Sequence, residues 1–490
     1  MIDGLKPYPA MKDSGVPWLG EVPAHWGVQP IGRLGQLFKG NGGNRGDEVP
    51  AGVPCVRYGD LYTRHEFFIR STKACVSPVR APDYTPVRYG DVLFAASGET
   101  IEDIGKSAVN LLDTDARCGG DVLLLRPEVE AVPEFLGYAC DSVSSRNQKA
   151  CMGRGFTVVH IYGSQLKQLV LTLPSLPEQA AIVRFLDHAD RRIRRYIRAK
   201  QKLIKLLEEQ KQAIIHRAVT RGLDPNVRLK PSGVEWLGDV PEHWEILKLA
   251  RVVADGPRNG ISPAVDERGS IESFSISAIR NGQVDVRDGD KKYVSGDKTS
   301  LEEAYRLLCG DVLLVRGNGN LRLVGKAGLV ARDMPGRVYP DLLMRIRLAP
   351  RCLPQFLVAL LTCTTGRDQI ETAARTAVGT FKINNQQVRQ MCFAFPPVAE
   401  QEGILRSLDD KLSAITVALS HGEEEIDLLR EYRTRLIADV VTGKLDVREA
   451  AARLPDEVEE PEPLDEVEAE GDTDEVGGDE ADAVPEEAEA

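Results

Sequence analysis

Two long stretches of the chain carry mostly apolar residues at alternating steps of three and four. A heptad pattern sustained over about ten turns indicates a coiled coil rather than a helix lying on a globular core. We therefore predict two helices of about 40 residues, each about 60 Å long at a rise of about 1.5 Å per residue. The two series are Val183, Leu186, Asp190, Ile193, Ile197, Lys200, Ile204, Leu207, Lys211, Ile214 and Ala218, and Leu405, Leu408, Leu412, Ile415, Leu419, Gly422, Ile426, Leu429, Arg433, Leu436 and Val440.

The ends and middles of these helices carry further signals. Ser175 and Glu178 form an S-x-x-E capping box before the first helix, and Pro397 begins the second. Lys200 and Gly422 interrupt the two apolar series at equivalent places. If the helices pack antiparallel, these two residues are predicted to meet near the centre and to help fix the register.

Shorter patterns lie between the long helices. Gly120–Arg126, Asp311–Arg316 and Leu342–Pro350 are predicted as strands bounded by turn residues. In each half of the chain one helix is predicted to open at a proline, Pro133 or Pro354. These mixed elements indicate α+β globular domains.

The chain repeats its own framework. Ser14–Trp26 recurs as Ser232–Trp244 with an offset of 218, and Leu173–Asp187 is echoed by Phe395–Asp409 with an offset of 222. The ends of the two long helices are also 222 residues apart. The blocks between these landmarks align poorly. Equal frames around unequal blocks indicate an internal duplication in which one architecture presents two different surfaces.

The net charge of −12 hides two different regions. From residue 451 onward the chain has a net charge of −17, so the preceding 450 residues have a net charge of +5. The acidic tail cannot bury a core and is predicted to be disordered. It serves either to solubilise the chain or, as the sharper alternative, to mimic DNA or bind a partner.

Other composition signals point to an ordinary cytoplasmic protein. None of the nine cysteines forms a C-x-x-C pair, so we expect reduced thiols rather than a zinc or redox site. The N-terminal sequence lacks the apolar region of a signal peptide, and no apolar run is long enough to span a membrane.

At this point the motifs identify a family. "SGVxWLGxVPxHW", "GDVLF…GKSA" and a "P-L-P-x-x-E-Q"-like run leading into a long helix occur in order, with counterparts in the other half. In this combination the chain resembles the specificity subunit of type I restriction–modification systems. The resemblance covers about residues 10 to 446 and leaves out the acidic tail.

The resemblance implies two target-recognition domains separated by two antiparallel helices. Each domain would read one half of a split, asymmetric DNA sequence, and the helices would set the gap between the halves. The family fold would also place the two ends of the framework together. The implied segments are an N-terminal frame at 1–26, a recognition domain at 27–174, a helix at 175–222, a second frame at 223–244, a second recognition domain at 245–396, a helix at 397–446 and the disordered tail at 451–490.

The resemblance also implies a non-catalytic subunit. Its partners would be double-stranded DNA, two methyltransferase subunits and ATP-driven restriction subunits, with no membrane involved. S-adenosylmethionine, ATP and Mg²⁺ would then belong to the partners, and this chain would hold no cofactor. In agreement, the sequence contains no amino-methyltransferase signature, no G-x-S-x-G and no H-E-x-x-H. His25 and His243 are expected to pack or cap rather than to bind metal.

Candidate DNA contacts lie in glycine-rich loops. Phosphates are contacted by Lys and Arg, and base edges by Arg, Lys, Asn or Gln, although each loop taken alone is also compatible with an ordinary polar turn. The candidates are Lys39, Asn41, Asn44, Arg45, Lys106, Arg154, Phe156, Thr157, Arg258, Asn259, Arg316, Asn318, Asn320, Lys326, Thr380, Lys382 and Asn384.

One loop suggests a different activity. "GETIEDIGKS" (Gly98–Ser107) resembles a phosphate-binding loop, but six residues separate its glycines where that motif allows four. Its counterpart in the second half has Ala327 in place of the Mg²⁺-binding hydroxyl. We therefore interpret Lys106 and Lys326 as possible phosphate contacts on DNA. An ATP-binding enzyme and a coiled-coil scaffold without DNA contact remain the alternatives.

The densest basic run, Arg191–Lys202, has three interpretations. It is a solvated helix face, a surface that follows the DNA between the half-sites, or an interface with an acidic partner. The second helix carries Glu423–Glu425 nearby if the helices pack antiparallel, and these residues would neutralise part of the run.

Overall fold

The computed structural model describes residues 5–42, 45–155, 158–262, 269, 271–296, 298–377 and 379–455. The predicted disorder of the tail concerns residues that lie almost entirely outside this part. The described residues form two compact units. Unit 1 contains the residues up to Arg191 and those from Arg433 onward, and unit 2 contains Arg192–Tyr432. Both boundaries lie inside long helices, whereas the sequence placed domain limits at the helix ends.

Unit 1 opens with a short hairpin and continues into a mixed domain. In chain order its elements are β1 (Met11–Asp13), β2 (Glu21–Pro23), β3 (Gly27–Pro30), β4 (Gly35–Lys39), β5 (Glu48–Val49), β6 (Val53–Val56), α1 (Tyr58–Thr63), β7 (Phe68–Ile69), β8 (Cys75–Val76), β9 (Thr85–Val87), β10 (Val92–Ala95), β11 (Ser97–Gly98), β12 (Ser107–Asn110), β13 (Ala116–Cys118), β14 (Val122–Pro127), α2 (Pro133–Asp141), α3 (Val143–Met152), β15 (Val159–His160), α4 (Gly163–Leu166) and β16 (Val170–Leu173).

The helix α5 (Leu176–Arg221) begins in unit 1 and ends in unit 2. Unit 2 then contains β17 (Leu229–Pro231), β18 (Asp239–Pro241), β19 (Glu245–Lys248), β20 (Val253–Asn259), β21 (Ile271–Phe274), β22 (Ile279–Arg280), β23 (Gln283–Val284), β24 (Lys291–Val294), α6 (Lys298–Tyr305), β25 (Val312–Val315), β26 (Gly317–Asn318), β27 (Ala327–Leu329), β28 (Leu343–Leu348), α7 (Pro354–Thr362), α8 (Thr364–Ala373), β29 (Arg375–Ala377), β30 (Thr380–Lys382), α9 (Asn385–Gln390) and β31 (Cys392–Phe395). The helix α10 (Val398–Val441) returns to unit 1, where α11 (Arg448–Ala452) follows.

The main sheets of the two units share a strand order. Unit 1 has β4-β14-β10-β12-β7, and unit 2 has β20-β28-β25-β27-β23-β22. The central strands β10 and β25 are buried at every residue, as expected for strands covered on both faces. The predicted strands are confirmed as β14, β25 and β28, within one or two residues of their predicted limits.

The block between the repeated framework segments is closed at its base, in each unit, by its own first and last strands. In unit 1, β3 pairs antiparallel with β16, so that Gly27 lies opposite Leu173. In unit 2, β19 pairs antiparallel with β31, so that Glu245 lies opposite Phe395. A block that begins and ends on adjacent strands can change internally without moving the frame that carries it.

The single helix predicted after Pro133 is in fact two helices, and the same holds in unit 2. Ser142 adopts an extended conformation between α2 and α3, and its side chain accepts a hydrogen bond from the backbone N–H of Ser145 at 3.4 Å. Cys363 is extended between α7 and α8 in the same way. In unit 1 the prediction of one continuous helix was wrong because a local N-cap at Ser142 competes with helix continuation, whereas the Cys363 side chain makes no cap hydrogen bond in unit 2.

The heptad prediction is confirmed along both long helices. Between 194 and 213 of α5, only the predicted heptad positions are shielded from solvent, and the same is true between 409 and 431 of α10. The helix α10 ends at Val441 instead of 446 because Gly443 adopts a left-handed conformation with φ +77°. A Cβ at Gly443 would lie 2.3 Å from Pro23 Cδ, so this turn also needs glycine for its packing.

The two long helices pack antiparallel, with a different central contact from the one predicted. Lys200 Nζ pairs with the carboxylate of Glu425, and Gly422 packs against Ile204, where an added Cβ would lie 3.1 Å from Ile204 Cγ1. Lys200 and Gly422 therefore lie about one turn apart and do not meet. The Lys200–Glu425 pair also shows that the second helix neutralises part of the basic run.

The predicted capping box of α5 forms only in part. Glu178 accepts a hydrogen bond from the backbone N–H of Ser175 at 3.4 Å. The Ser175 hydroxyl donates to the same carboxylate at 2.9 Å and is not the acceptor for the helix N–H groups. The Glu178 carboxylate is the group that organises this end of the helix.

A half-buried arginine ties α10 to the block of unit 1 that lies between β3 and β16. The Arg433 guanidinium pairs with Asp190 on α5 and with Glu66, to which Nη2 donates at 2.8 Å. It also lies over the Phe67 ring, 5.6 Å from the centroid. Burial opposes the charge of Arg433, but the hydrogen bonds to Glu66 and Asp190 outweigh burial and raise its pKa.

We predict that Arg433→Ala lowers the free energy of unfolding by about 3 kcal/mol, because it removes the counter-charge that Arg433 supplies to two partly buried carboxylates. Arg435→Ala is the matched control, because the Arg435 side chain is 79% exposed and pairs with Asp439 at the long distance of 3.6 Å. We expect the control to change stability by less than about 0.5 kcal/mol. Urea unfolding of the full chain measures both variants, and equal effects would contradict a structural role for the Arg433 network.

Candidate nucleic-acid interface

A carboxylate in the first turn of each long helix anchors the repeated frame. In unit 1, His25 Nε2 lies 2.8 Å from Glu178 Oε1, and Trp26 Nε1 donates to the same oxygen at 3.4 Å. Burial opposes the charge of Glu178, but the hydrogen bonds from His25, Ser175 and Trp26 together lower its pKa. Trp26 is 1% exposed.

Unit 2 repeats this anchor. His243 Nε2 lies 2.7 Å from Glu400 Oε2, and Trp244 Nε1 donates to Glu400 Oε1 at 3.1 Å. Each histidine, expected from the sequence to pack or cap, is thus paired with the carboxylate in the first turn of a long helix. Among the described residues, no three His, Cys, Asp or Glu side chains are placed to hold a metal ion.

Two of the candidate loops in unit 2 meet through strand pairing. The strands β26 and β30 are antiparallel, with Gly317 opposite Lys382 and Asn318 opposite Phe381. The backbone N–H of Ile383 donates to the carbonyl of Arg316 at 2.9 Å. Residues more than 60 positions apart in the sequence thus form one small surface.

Unit 1 has the same paired strands. The strand β11 pairs antiparallel with β15, so that Ser97 lies opposite His160 and the two side chains are 3.0 Å apart. The backbone N–H of Ile161 donates to the carbonyl of Ala96 at 2.9 Å. Tyr162 follows directly and is 58% exposed.

A cleft of about 650 Å³ adjoins the paired strands of unit 1. Its lining includes Phe38, Lys39, Ser97, His160, Tyr162 and Lys167. Aromatic, hydroxyl, imidazole and basic side chains together are suited to contact base edges and phosphates. The candidate Lys39 therefore lies beside residues that the sequence did not single out.

The remaining candidates of unit 1 are more scattered. Asn41 is exposed, and its backbone N–H donates to the Thr85 hydroxyl at 2.8 Å. Arg154 is exposed and is joined to His160 by two backbone hydrogen bonds of 2.9 and 2.7 Å. Asn44, Phe156, Thr157 and the side chain of Arg45 lie outside the described part of the chain.

In unit 2, two candidate side chains form hydrogen bonds with the backbone of their own turns. Asn320 accepts a hydrogen bond from the backbone N–H of Arg322 at 3.0 Å, and Asn384 caps α9 by accepting from Gln387 at 2.9 Å. Arg258 is exposed and lies over the Tyr305 ring at 5.7 Å. The other candidates here are the half-buried Asn259, Arg316, Asn318 and Thr380 and the exposed Lys382.

The lysines of the two Gly-Lys motifs, Lys106 and Lys326, have different surroundings. Lys106 Nζ donates to Asp141 Oδ2 at 2.6 Å, and Arg146 and Lys149 contact the same carboxylate at 2.8 and 3.3 Å. Burial opposes the Asp141 charge, but these three cations hold its pKa below the ordinary value. Lys106 therefore already has a strong counter-charge inside its own domain.

Lys326 lacks such a counter-charge within the described residues. The helix residues equivalent to Asp141 and Lys149 are Thr362 and Ile370. Burial and the nearby Arg280 lower the pKa of Lys326, and its side chain is exposed. Of the two lysines, Lys326 is the one suited to donate hydrogen bonds to an external phosphate.

The structural context of the loop Gly98–Ser107 differs from that of a nucleotide-binding loop. It joins β11 to β12, so a strand and not a helix follows Lys106. A phosphate loop depends on backbone N–H groups at a helix N-terminus. Ser107 is fully buried beside Asp141 and Lys149 and cannot reach a bound Mg²⁺.

The sequence did not single out Ser97, His160 or Tyr162 as candidates. Their side chains meet only because β11 and β15 pair across 63 residues. The repeat offset of 222 residues could have found two of them, because it relates His160 to the candidate Lys382 and Tyr162 to the candidate Asn384.

Comparison with known proteins finds curated relatives of one kind, the specificity subunits of type I restriction enzymes. No protein-family model matches the chain. The specificity subunit of the type I restriction enzyme EcoKI from Escherichia coli K12 is 23% identical over 433 residues, covering 87% of this chain and 90% of that protein. The StySPI specificity subunit from Salmonella potsdam is 22% identical over 435 residues, with the same coverage.

A solved structure shares the fold. It comes from work on "complex assembly" and "conformational transition of the type I R-M system", and it superposes with a TM-score of 0.62 at 18% identity. The alignment covers 86% of this chain and 99% of that one. The family resemblance drawn from the motifs is confirmed by these relatives, and the structural match supports the fold. Among the described residues, no helix has both the length and the apolarity needed to cross a bilayer.

The buried charges around Lys106 generate a prediction. Asp141→Thr leaves Lys149, which is fully buried, without its anionic partner, and we expect stability to fall by about 3–5 kcal/mol. Adding Lys149→Ile should recover most of this loss, because the pair Thr and Ile occupies the equivalent positions 362 and 370 of unit 2. Urea unfolding of the two single variants and the double variant measures the coupling. Additive effects of the two changes would contradict it.

Proposed function

We propose that this chain is the DNA sequence-specificity subunit of a type I restriction–modification complex. The observation that carries the proposal is the repetition of one framework around different contents. The anchor, the closing strands and the main sheet order recur in both units, whereas the side chains on the paired strands differ. The homologous specificity subunits support the same assignment.

In this proposal, an internal duplication provides two target-recognition domains. Each domain reads one half of a bipartite, asymmetric site, and the two long helices form the antiparallel coiled coil that separates the halves. The heptad seam supports a stiff spacer, because packed apolar positions run along the helices without a long polar interruption.

The proposed chain is non-catalytic. The chemistry would be supplied by methyltransferase subunits using S-adenosylmethionine and by restriction subunits using ATP and Mg²⁺. Work on complex assembly in the structural relative supports partners of this kind. A scaffold without DNA contact is the second candidate, favoured only by the length of the coiled coil.

We predict that methylation mapping in a host expressing this chain with its methyltransferase partner yields a bipartite asymmetric motif. Replacing the block 27–172 with that of another specificity subunit should change only one half of the motif, because β3 and β16 close the block on itself. The unaltered complex is the control. A single contiguous motif, or methylation that does not depend on this chain, would contradict the proposal.

The two Gly-Lys lysines provide a finer prediction. Lys326→Ala should weaken binding of the assembled complex to all duplexes alike and reduce the salt slope of log K by about one, because one phosphate contact is lost. Lys106→Ala is the matched control and should leave the slope unchanged, because Lys106 is already paired with Asp141. Binding to cognate and non-cognate duplexes at several salt concentrations measures both. Equal losses of slope would contradict the distinction.

A further inference from the structure

The paired strands of the two units share a backbone scaffold in detail. The N–H of Ile161 donates to the carbonyl of Ala96 at 2.9 Å, and the N–H of Ile383 donates to the carbonyl of Arg316 at the same distance. Both isoleucines are 2% exposed. In each unit, a buried isoleucine and its main-chain hydrogen bond therefore hold the two paired strands together at the same point.

The next turn is also shared. The backbone N–H of Tyr162 donates to Gln165 Oε1 at 3.1 Å, and that of Asn384 donates to Gln387 Oε1 at 2.8 Å. The glutamines are identical and the residues they hold are not. This turn sets the backbone position at 162 and 384. Tyr162 makes no side-chain cap hydrogen bond there, whereas Asn384 Oδ1 accepts from the backbone N–H of Gln387 at 2.9 Å.

The side chains at equivalent positions of this scaffold differ in every pair. We compare Ser97, His160 and Tyr162 of unit 1, here called the first strand site, with Gly317, Lys382 and Asn384 of unit 2, here called the second strand site. The first offers a hydroxyl, an imidazole and a phenol, whereas the second offers an ammonium and an amide, because Gly317 has no side chain. Each of these groups can form hydrogen bonds with base edges.

Structural needs do not explain the identity of His160, Tyr162 or Lys382, whereas the Asn384 side chain also caps α9. His160 is exposed, and its ring contacts Ser97 at 3.0 Å without filling the core. Lys382 is exposed as well. Tyr162 keeps a large ring in contact with solvent, which has a hydrophobic cost unless a ligand covers it. In unit 1, the lysines 39 and 167 lie in the same cleft, where they can contact the phosphates beside a base.

We propose that the two strand sites are specificity-determining surfaces of the two domains, each contacting base edges of its own half of the DNA site. The proposal rests on the DNA-specificity function proposed above. The buried scaffold presents the strands at one fixed position, and the exchanged side chains select the bases. The two halves of the recognition sequence then differ because these side chains differ.

The experiment exchanges side chains between equivalent positions in the assembled complex. We expect His160→Lys to change the bases tolerated in one half of the methylated motif, and Lys382→His to change those in the other half only. Binding of the His160→Lys complex to duplexes with single base changes should shift discrimination by about tenfold at one or two positions, the size of a typical base contact.

The matched control is Glu21→Gln. Glu21 lies on the exposed end of β2, and this change raises the charge of unit 1 by one, as His160→Lys does, but away from the strand site. We expect tighter binding at low salt with an unchanged motif. Melting temperatures of the exchanged variants should stay close to the original, because the altered side chains are exposed.

The outcomes separate this inference from the proposed function. An intact bipartite motif that neither exchange alters overturns the inference and leaves the function standing. The same motif change with Glu21→Gln also overturns it, because charge alone would then be sufficient. If the unaltered complex yields no bipartite motif, the proposed function fails and the inference fails with it.

Discussion

The carboxylate in the first turn of each long helix is the interaction on which the rest of each unit depends. Glu178 and Glu400 each bind a histidine and a tryptophan from a frame segment more than 150 residues earlier in the chain. Closing such a long loop costs conformational entropy, which grows slowly with loop length. Two hydrogen bonds to a carboxylate and the burial of a tryptophan offset this cost at one point. The block between the frame and the helix then needs only to close on itself.

That closure explains how the two blocks can differ so much. The first and last strands of each block pair at its base, and the scaffold beneath the exposed sites consists of main-chain hydrogen bonds and glutamine side chains. Main-chain hydrogen bonds form whichever side chains the paired residues carry, because every residue except proline has the same backbone donor and acceptor. Residues such as His160 and Lys382 can therefore occupy the same place without altering the fold. The support of each block is in this way separate from the side chains that the block presents to solvent.

Periodicity in the sequence was sufficient to predict the long helices, the buried strands and the repeated frame, because each depends on nearby residues. It was insufficient wherever a contact joins distant segments. The heptad pattern predicted that Lys200 and Gly422 lie near the centre of the helix pair, but the partner of each depends on axial register, which packing sets. The break at Ser142 was missed because a local cap overrides helix propensity. The strand sites were missed because their residues come together only through tertiary pairing.

The two Gly-Lys motifs show why a repeated motif does not guarantee a repeated role. Lys106 and Lys326 occupy equivalent turns, yet a carboxylate 35 residues further along the chain neutralises the first and has no counterpart for the second. In unit 1 the burial of Asp141 requires cations around it, and Lys106 is one of them. In unit 2, Thr362 and Ile370 remove that requirement, and the lysine is left to the solvent. The function of such a residue is thus decided by the charge balance beneath it, and equivalent lysines of the two units need not have the same role.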